Sequence, residues 1–566
     1  MSQFDHTKYR PFTVIKNPNR RWPSKQITRA PIWCAVDLRD GNQALIEPMN
    51  ISQKQKMWAL LIKLGFKEIE IGFPSASQPD FDFCRWLIEE NQIPSDVKIQ
   101  ALTQARPELI ERTYEALKGA KQAIVHVYNS TSPVQRERVF KLDKQGIVAI
   151  ATTGAQKVLD ESKKFPNTQW YFEYSPESFS STEIDFSIEV CNAVINVWQP
   201  TPEHKIILNL PATVECATPN VFADQIELFC DAINQRHCVI ISLHTHNDRG
   251  CGIAAAELGL MAGADRIEGT LMGNGERTGN MDLVAMAINL YSQGINPQLD
   301  LSNADEIVRT ITECTQIATH PRHPWFGELV FTAFSGSHQD AIRKCLAQQK
   351  PGEPWDVAYL PIDPKDLGRD YQSVIRVNSQ SGKGGVAYIL EQDYGLQLPR
   401  WLQIEASRKV QAHAEKETIE VAPEKIWEII QSAFMHTDET QQLGNYHLTH
   451  NGKQEHIRAT LISNDKQQTQ QIINGQGDGA LSAFCDAIKS HFGFHLEIVH
   501  YHQHAIGSGT GASAMGYVQV KINDRRYCGI AENRDVMSAN LNAILVCVKQ
   551  ALDDVAFKHS SQALSS

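Results

Sequence analysis

The chain has 566 residues, with 54 Lys or Arg against 65 Asp or Glu and a net charge of -11. That is room for roughly three or four domains, and with no long basic run nucleic acid is not an expected partner. No apolar leader and no run of roughly eighteen apolar residues occurs, so a cytoplasmic protein without a membrane partner is expected, and the 12 cysteines, scattered without a C-x-x-C pair, read as reduced thiols.

Residues 1–30 read as an irregular arm broken by Pro11, Pro18 and Pro23. From there, short β-branched or aromatic runs alternate with amphipathic segments: IWCAVDL (32–38), EIEIGF (68–73), VKIQALT (97–103), AIVHVY (123–128), QWYFEY (169–174), KIILNL (205–210), VIISLHT (239–245) and RIEGTL (266–271). Alternating strands and helices mark parallel βα units. This count over residues 31–324 predicts an α/β fold of the (β/α)8 TIM-barrel type, with an open doubly wound sheet as the runner-up.

A barrel builds its site from the carboxyl ends of its strands. Those ends carry Arg39, Asp40, His126, Glu173, Ser175, Glu177, Thr213, Glu215, His244 and His246, followed by the glycine-rich loop Gly273–Asn280. His244 and His246 share one strand face, as a pair of metal ligands would. Alone, however, an H-x-H pair is a weak motif.

Residues 325–425 read as a small linker domain, with a helix near 339–348 and a strand near 373–377. Its SQSGKGG string lacks P-loop spacing. Residues 426–566 hold an internal repeat: SAFCDAI (482–488) and SANLNAI (538–544) each open a helix after three strand-like runs, predicting a duplicated βββα (α+β) domain. Gly475, Gly477 and Gly479 precede the first of these helices. They are candidates for an effector contact or for a turn that simply needs glycine. His500, His502 and His504 alternate on one strand without an accompanying carboxylate or cysteine, and read as a polar sheet face.

WCAVDLRDGNQALIEPM, YSPES, HTHNDRGCG, GNGERTGN, SGSHQDAI and LPIDPKDLGRDY occur in this order before the duplicated domain. In these motifs the chain resembles the metal-dependent barrel enzymes that include 2-isopropylmalate, homocitrate and citramalate synthases and hydroxymethylglutaryl-CoA lyase, and most of all the long 2-isopropylmalate synthases. The resemblance implies a divalent metal (Mg, Mn or Zn) held by Asp40, His244, His246 and Asn280, with a monovalent cation such as potassium as a further candidate. It implies acetyl-CoA as co-substrate, 3-methyl-2-oxobutanoate as acceptor, and leucine as the effector of a regulatory C-terminal domain.

Arg39 would then pair with the substrate carboxylate, unless it is spent on a barrel carboxylate, and Gln43 would support Arg39 and Asp40. His126, Ser175 and Thr213 match substrate contacts, and Glu177 is the first candidate for proton transfer. His338 and Tyr371 match residues that reach the partner subunit's site, which implies a homodimer with shared active sites. Asp40 stands where homocitrate synthases tend to carry glutamate, and the lyase's cysteine-bearing loop is absent. Citramalate synthase, using pyruvate, is the remaining rival; a non-catalytic amino-acid-sensing barrel is the alternative of another class.

Overall fold

The structure, a computed structural model, describes residues 6–10, 12–13, 15–369, 383–417, 421–435, 442–462, 469–506 and 512–563. The chain divides into two compact units, Met1–Val330 with Lys365–Arg369, and Phe331–Pro364 with Asp370–Ser566. The stretch 325–425 is therefore shared between the units. Tyr371, the strand expected near 373–377 and the first part of the SQSGKGG string lie outside the described residues. No helix among the described residues is long and apolar enough to cross a membrane.

In the first unit, strands and helices alternate: β1 (Ile32–Ala35), α1 (Ile51–Leu64), β2 (Glu68–Gly72), α2 (Gln78–Glu89), β3 (Lys98–Gln104), α3 (Pro107–Leu117), β4 (Gln122–Ser130) and α4 (Lys144–Lys164). They continue as β5 (Gln169–Glu177), α5 (Ile184–Trp198), β6 (Ile206–Ala212), α6 (Pro219–Ala232), β7 (Val239–Thr245), α7 (Gly252–Met261), β8 (Arg266–Gly269), α8 (Leu283–Tyr291) and α9 (Ala304–Thr315). The strands close into a parallel barrel in sequence order, β1 pairing with β8 from Ile32↔Arg266 to Ala35↔Gly269. Local chemistry sets the helix ends. On α1, Asn50 and Gln53 form a reciprocal capping box and Gly65 closes the helix in the left-handed region.

Two strand ends differ from expectation. β1 stops at Ala35, because Asp37–Gly41 winds into a π-helical turn whose Gly41 N–H reaches Val36 O at 3.2 Å. β8 stops at Gly269, after which the chain turns so that Leu271 N–H donates to Asp37 Oδ1 at 3.0 Å. The arm before β1 is pinned, not loose. Arg20 donates to both carboxylate oxygens of Asp224 on α6, and the indole of buried Trp22 donates to the same carboxylate at 2.9 Å.

Barrel interiors are usually filled by branched aliphatic side chains, but this one has a polar floor. Period-two alternation turns Glu68, Glu70, Gln100, Glu173, Arg266 and Glu268 inward, all buried. Arg266, fully buried, donates to Glu68 (2.7 Å), Ser242 (2.8 Å), Glu268 (2.9 Å) and Gln100 (2.7 Å), with Glu173 3.4 Å away.

The second unit contributes α10 (Gly336–Leu346), α11 (Lys383–Tyr394), α12 (Arg400–Glu417) and α13 (Pro423–Phe434), then two modules of identical order. The first is β9 (Gln442–His450), β10 (Glu455–Ile462), β11 (Gln470–Gly477) and α14 (Ala480–Phe492). The second is β12 (Leu496–Ile506), β13 (Ser513–Ile522), β14 (Arg525–Asn533) and α15 (Val536–Ala563). Each sheet is an antiparallel meander, with orders β11-β10-β9 and β12-β13-β14. β13 is buried on both faces: Val518, Val520 and Ile522 join a core with Ile457, Phe484 and Ile488, while Met515 and Tyr517 join Leu390, Leu402 and Ile430 of α11 to α13. α11 and α12, which lie within the expected linker of 325–425, therefore share a core with the second sheet.

Glycine serves close packing in both modules. A Cβ on Gly475 would lie 2.2 Å from Ala483 O, and one on Gly529 2.0 Å from Ala543 O. On the neighbouring sheet face, His500 stacks on Trp401, and His504 reaches Gly395 O at 3.2 Å.

Removing the positive partner from a buried ion cluster leaves its carboxylates uncompensated, at a cost of about 3 to 5 kcal/mol. Arg266→Met should therefore lower the barrel's unfolding free energy by that amount, read as a shifted denaturant midpoint. A midpoint matching the unsubstituted chain would show that the floor does not depend on this cation.

Candidate active site

The π-helical turn after β1 presents Arg39 and Asp40, and the last residues of β7 present His244, with His246 just beyond. One ligand atom from each of Asp40, His244 and His246 lies within 4.8 Å of the others, and all three residues are buried. His244 Nε2 is 3.0 Å from Asp40 Oδ2, and His246 Nε2 is 3.9 Å from the same oxygen.

Burial disfavours the Asp40 carboxylate, yet the Arg39 charge and the His244 hydrogen bond outweigh it and hold the carboxyl well below its usual range. For His244, burial works against the charged ring, but hydrogen bonds with Asp40 and Glu268 raise its pKa to about 9. Burial and the neighbouring His244 charge lower His246 to about 4.

The glycine-rich loop brings Asn280 alongside. His246 and Asn280 form an antiparallel bridge, and Asn247 N–H donates to Gly279 O at 3.0 Å. Gly279 has φ +101, and a Cβ there would meet Gly273 O at 1.9 Å, so the loop closes only with glycine. Asn280 donates through Nδ2 to Asn274 O (3.1 Å), leaving its buried Oδ1 with no partner. A carboxylate, two imidazoles and a buried unsatisfied amide oxygen suit a divalent cation of the magnesium, manganese or zinc type.

Asp40, His244 and His246 open onto a cavity of about 380 Å3 that is also lined by Gln43, Phe73, Leu102, His126, Tyr128, Ser175, Glu177, Thr213, Glu276 and Arg277. The alternative reading of Arg39, a pairing with a barrel carboxylate, is observed. Its Nε donates to Glu70 and its Nη1 lies 3.4 Å from Asp40, while the guanidinium still lines the cavity. His126 sits in the middle of β4, not at its end, with Nδ1 2.8 Å from Glu70 and Nε2 2.7 Å from Ser175 Oγ. Glu177 ends β5 and accepts from Ser130 Oγ; Thr213 Oγ1 accepts from Ser178 N–H at 2.9 Å.

Gln43 departs from expectation. It is exposed and reaches Glu276 Oε1 at 3.5 Å, tying the two loops together instead of buttressing Arg39 and Asp40. His338 lies on α10 in the second unit, exposed, its ring stacked on Tyr359 at 4.0 Å. Gly475 and Gly477 end β11 against α14, and Gly479 is the N-cap of that helix.

Residues not singled out from the sequence complete the cluster. Glu70 takes Arg39 and His126, Glu268 takes His244 Nδ1 at 2.8 Å, and Asn209 Nδ2 spans Ser175 Oγ (3.0 Å) and Glu268 (3.1 Å). Their signal was an acid or amide inside a strand otherwise fit for a barrel core. Arg277, at φ +58, is held by Asp248 and Thr213 O at the rim.

Residues 30–311 match the HMGL-like family, 328–391 the "Alpha-isopropylmalate synthase, post-catalytic domain-like" family, and 420–552 the "LeuA allosteric (dimerisation) domain". A 2-isopropylmalate synthase of Alcanivorax borkumensis is 55% identical over 545 residues, covering 96% of this chain and 97% of its own. One of Pseudomonas fluorescens (strain Pf0-1) is 54% identical over 547 residues, with the same 96% and 97% coverage. Similarity of this degree, spanning both the barrel and the duplicated domain, shows that the chain belongs to the 2-isopropylmalate synthase family.

Proposed function

We propose that this chain catalyses a Claisen-type condensation of acetyl-CoA with 3-methyl-2-oxobutanoate, followed by thioester hydrolysis to 2-isopropylmalate and CoA, and that leucine binding to the C-terminal domain inhibits it. The observation that carries the reading is the buried Asp40, His244 and His246 cluster beside Arg39 in a cavity of about 380 Å3. A divalent cation held by Asp40, His244, His246 and Asn280 would supply Lewis acidity toward the keto oxygen.

The chain's own residues do the rest. Arg39, aligned by Glu70, pairs with the keto-acid carboxylate. His126 and Ser175 orient the substrate, with Thr213 near the cavity rim, and Phe73, Leu102 and Tyr128 give the cavity its apolar wall for the branched chain. Glu177 takes the methyl proton of the acetyl group, its carboxylate oriented by Ser130. His338 and Tyr371 would come from a second copy of the chain.

Free-thiol release from acetyl-CoA over a panel of 2-keto acids tests the reaction. Turnover should be highest with 3-methyl-2-oxobutanoate, vanish with chelator, return with manganese or magnesium, and fall with leucine. No thiol release with any keto acid overturns the proposal, chelator-insensitive turnover overturns the metal assignment, and preference for pyruvate makes the enzyme a citramalate synthase.

Glu177→Gln keeps the shape and removes the base, so kcat should drop by about 10²- to 10⁴-fold while the KM for the keto acid changes little. A wild-type kcat would remove Glu177 from proton transfer. Shared sites predict complementation: inactive Asp40→Ala and His338→Ala homodimers, once mixed and exchanged, should recover partial activity. Proven exchange without recovery would confine each site to one chain.

A further inference from the structure

We propose that Glu268 is a positioning residue of the metal centre, fixing which nitrogen of His244 is free to bind the cation; the inference rests on the metal assignment proposed above. Glu268 is fully buried on β8 and lines no solvent. Its Oε1 accepts from Arg266 (2.9 Å) and Gln100 (2.9 Å), and its Oε2 from Asn209 (3.1 Å) and His244 Nδ1 (2.8 Å). With four donors converging on two oxygens, the group accepts at every site. When a cation takes the place of the Nε2 proton that now meets Asp40, the remaining ring proton stays on Nδ1 and the Nε2 lone pair is the one left for the metal.

Asn209 carries the network outward. Its amide spends one N–H on Glu268 and the other on Ser175 Oγ, which leaves the Ser175 hydroxyl proton for His126 Nε2. His126 Nδ1–H then serves Glu70, which also holds Arg39. With this assignment every donor in the network meets an acceptor, and Glu268 is the acceptor that starts it. A Gln at this position cannot take the same part. Whichever way its amide turns, the NH2 faces two donors: His244 and Asn209, or Arg266 and Gln100.

The test is titration of metal-stripped Glu268→Gln with manganese(II), with His244 followed by 15N ring shifts in the zinc-loaded protein. Manganese affinity should weaken by about 10- to 100-fold, and kcat should recover at saturating manganese, a split that a merely structural defect would not give. Zinc-loaded wild type should show His244 protonated at Nδ1, and the variant a mixture of ring states. Wild-type manganese affinity in Glu268→Gln overturns the inference. Should that variant fail to fold, the wild-type ring decides alone: an unprotonated Nδ1 overturns it. Wild-type protein that takes up neither metal overturns the metal assignment itself, and this inference with it.

Discussion

Arg266 is the charge around which the barrel is arranged. A guanidinium sealed from water is costly unless all its N–H groups find acceptors, and here Glu68, Ser242, Glu268 and Gln100 provide them from four strands. The site is built on this floor. Glu268 faces down to Arg266 and up to His244; Gln100 donates to both Glu268 and Glu70, and Glu70 in turn holds Arg39 and His126. A carboxylate that neutralises the core thus also aims a side chain at the cavity, so fold stability and site geometry share their hydrogen bonds.

The mouth is organised by different means. Over the floor, rigid strands do the positioning; at the rim, loops are tied to one another. Asp37 and Gly41 of the π-helical turn hold Leu271 N–H and the Asn274 amide, Gln43 meets Glu276, and Arg277 crosses to Asp248 and Thr213. Loops after β1, β6, β7 and β8 therefore act as one collar. The duplicated domain uses another economy: each module sets a glycine against a helix backbone, and the buried β13 gives one face to the module core and the other to the helical layer.

The sequence showed the barrel through its alternating runs, and the duplicated domain through SAFCDAI and SANLNAI. Strand-end logic found His244 and His246, and the resemblance supplied Asp40 and Asn280, whose partnership spans more than two hundred residues and leaves no local trace. Glu70 and Glu268 were present in EIEIG and RIEG, but an acid in a short strand has the same pattern whether it faces solvent or a polar core. Only the closed barrel, by burying both faces, tells them apart. The end of β1 was misplaced because VDL has strand composition, whereas the π-helical turn that interrupts it is set by contacts with the loop after β8. Gln43 was misassigned because sequence adjacency to Arg39 and Asp40 says nothing of direction once the backbone winds.

That winding has a consequence for how this segment tolerates change. Within Asp37–Gly41, Arg39 turns to Glu70 while its neighbour Asp40 turns to His244. Adjacent residues thus take different partners, a division that depends on the number of residues between Val36 and Gly41. One residue more or fewer would rotate everything beyond it by roughly a quarter-turn, turning Asp40 away from His244. The stretch behaves as a fixed-length spacer: its count matters as much as the identities of Arg39 and Asp40.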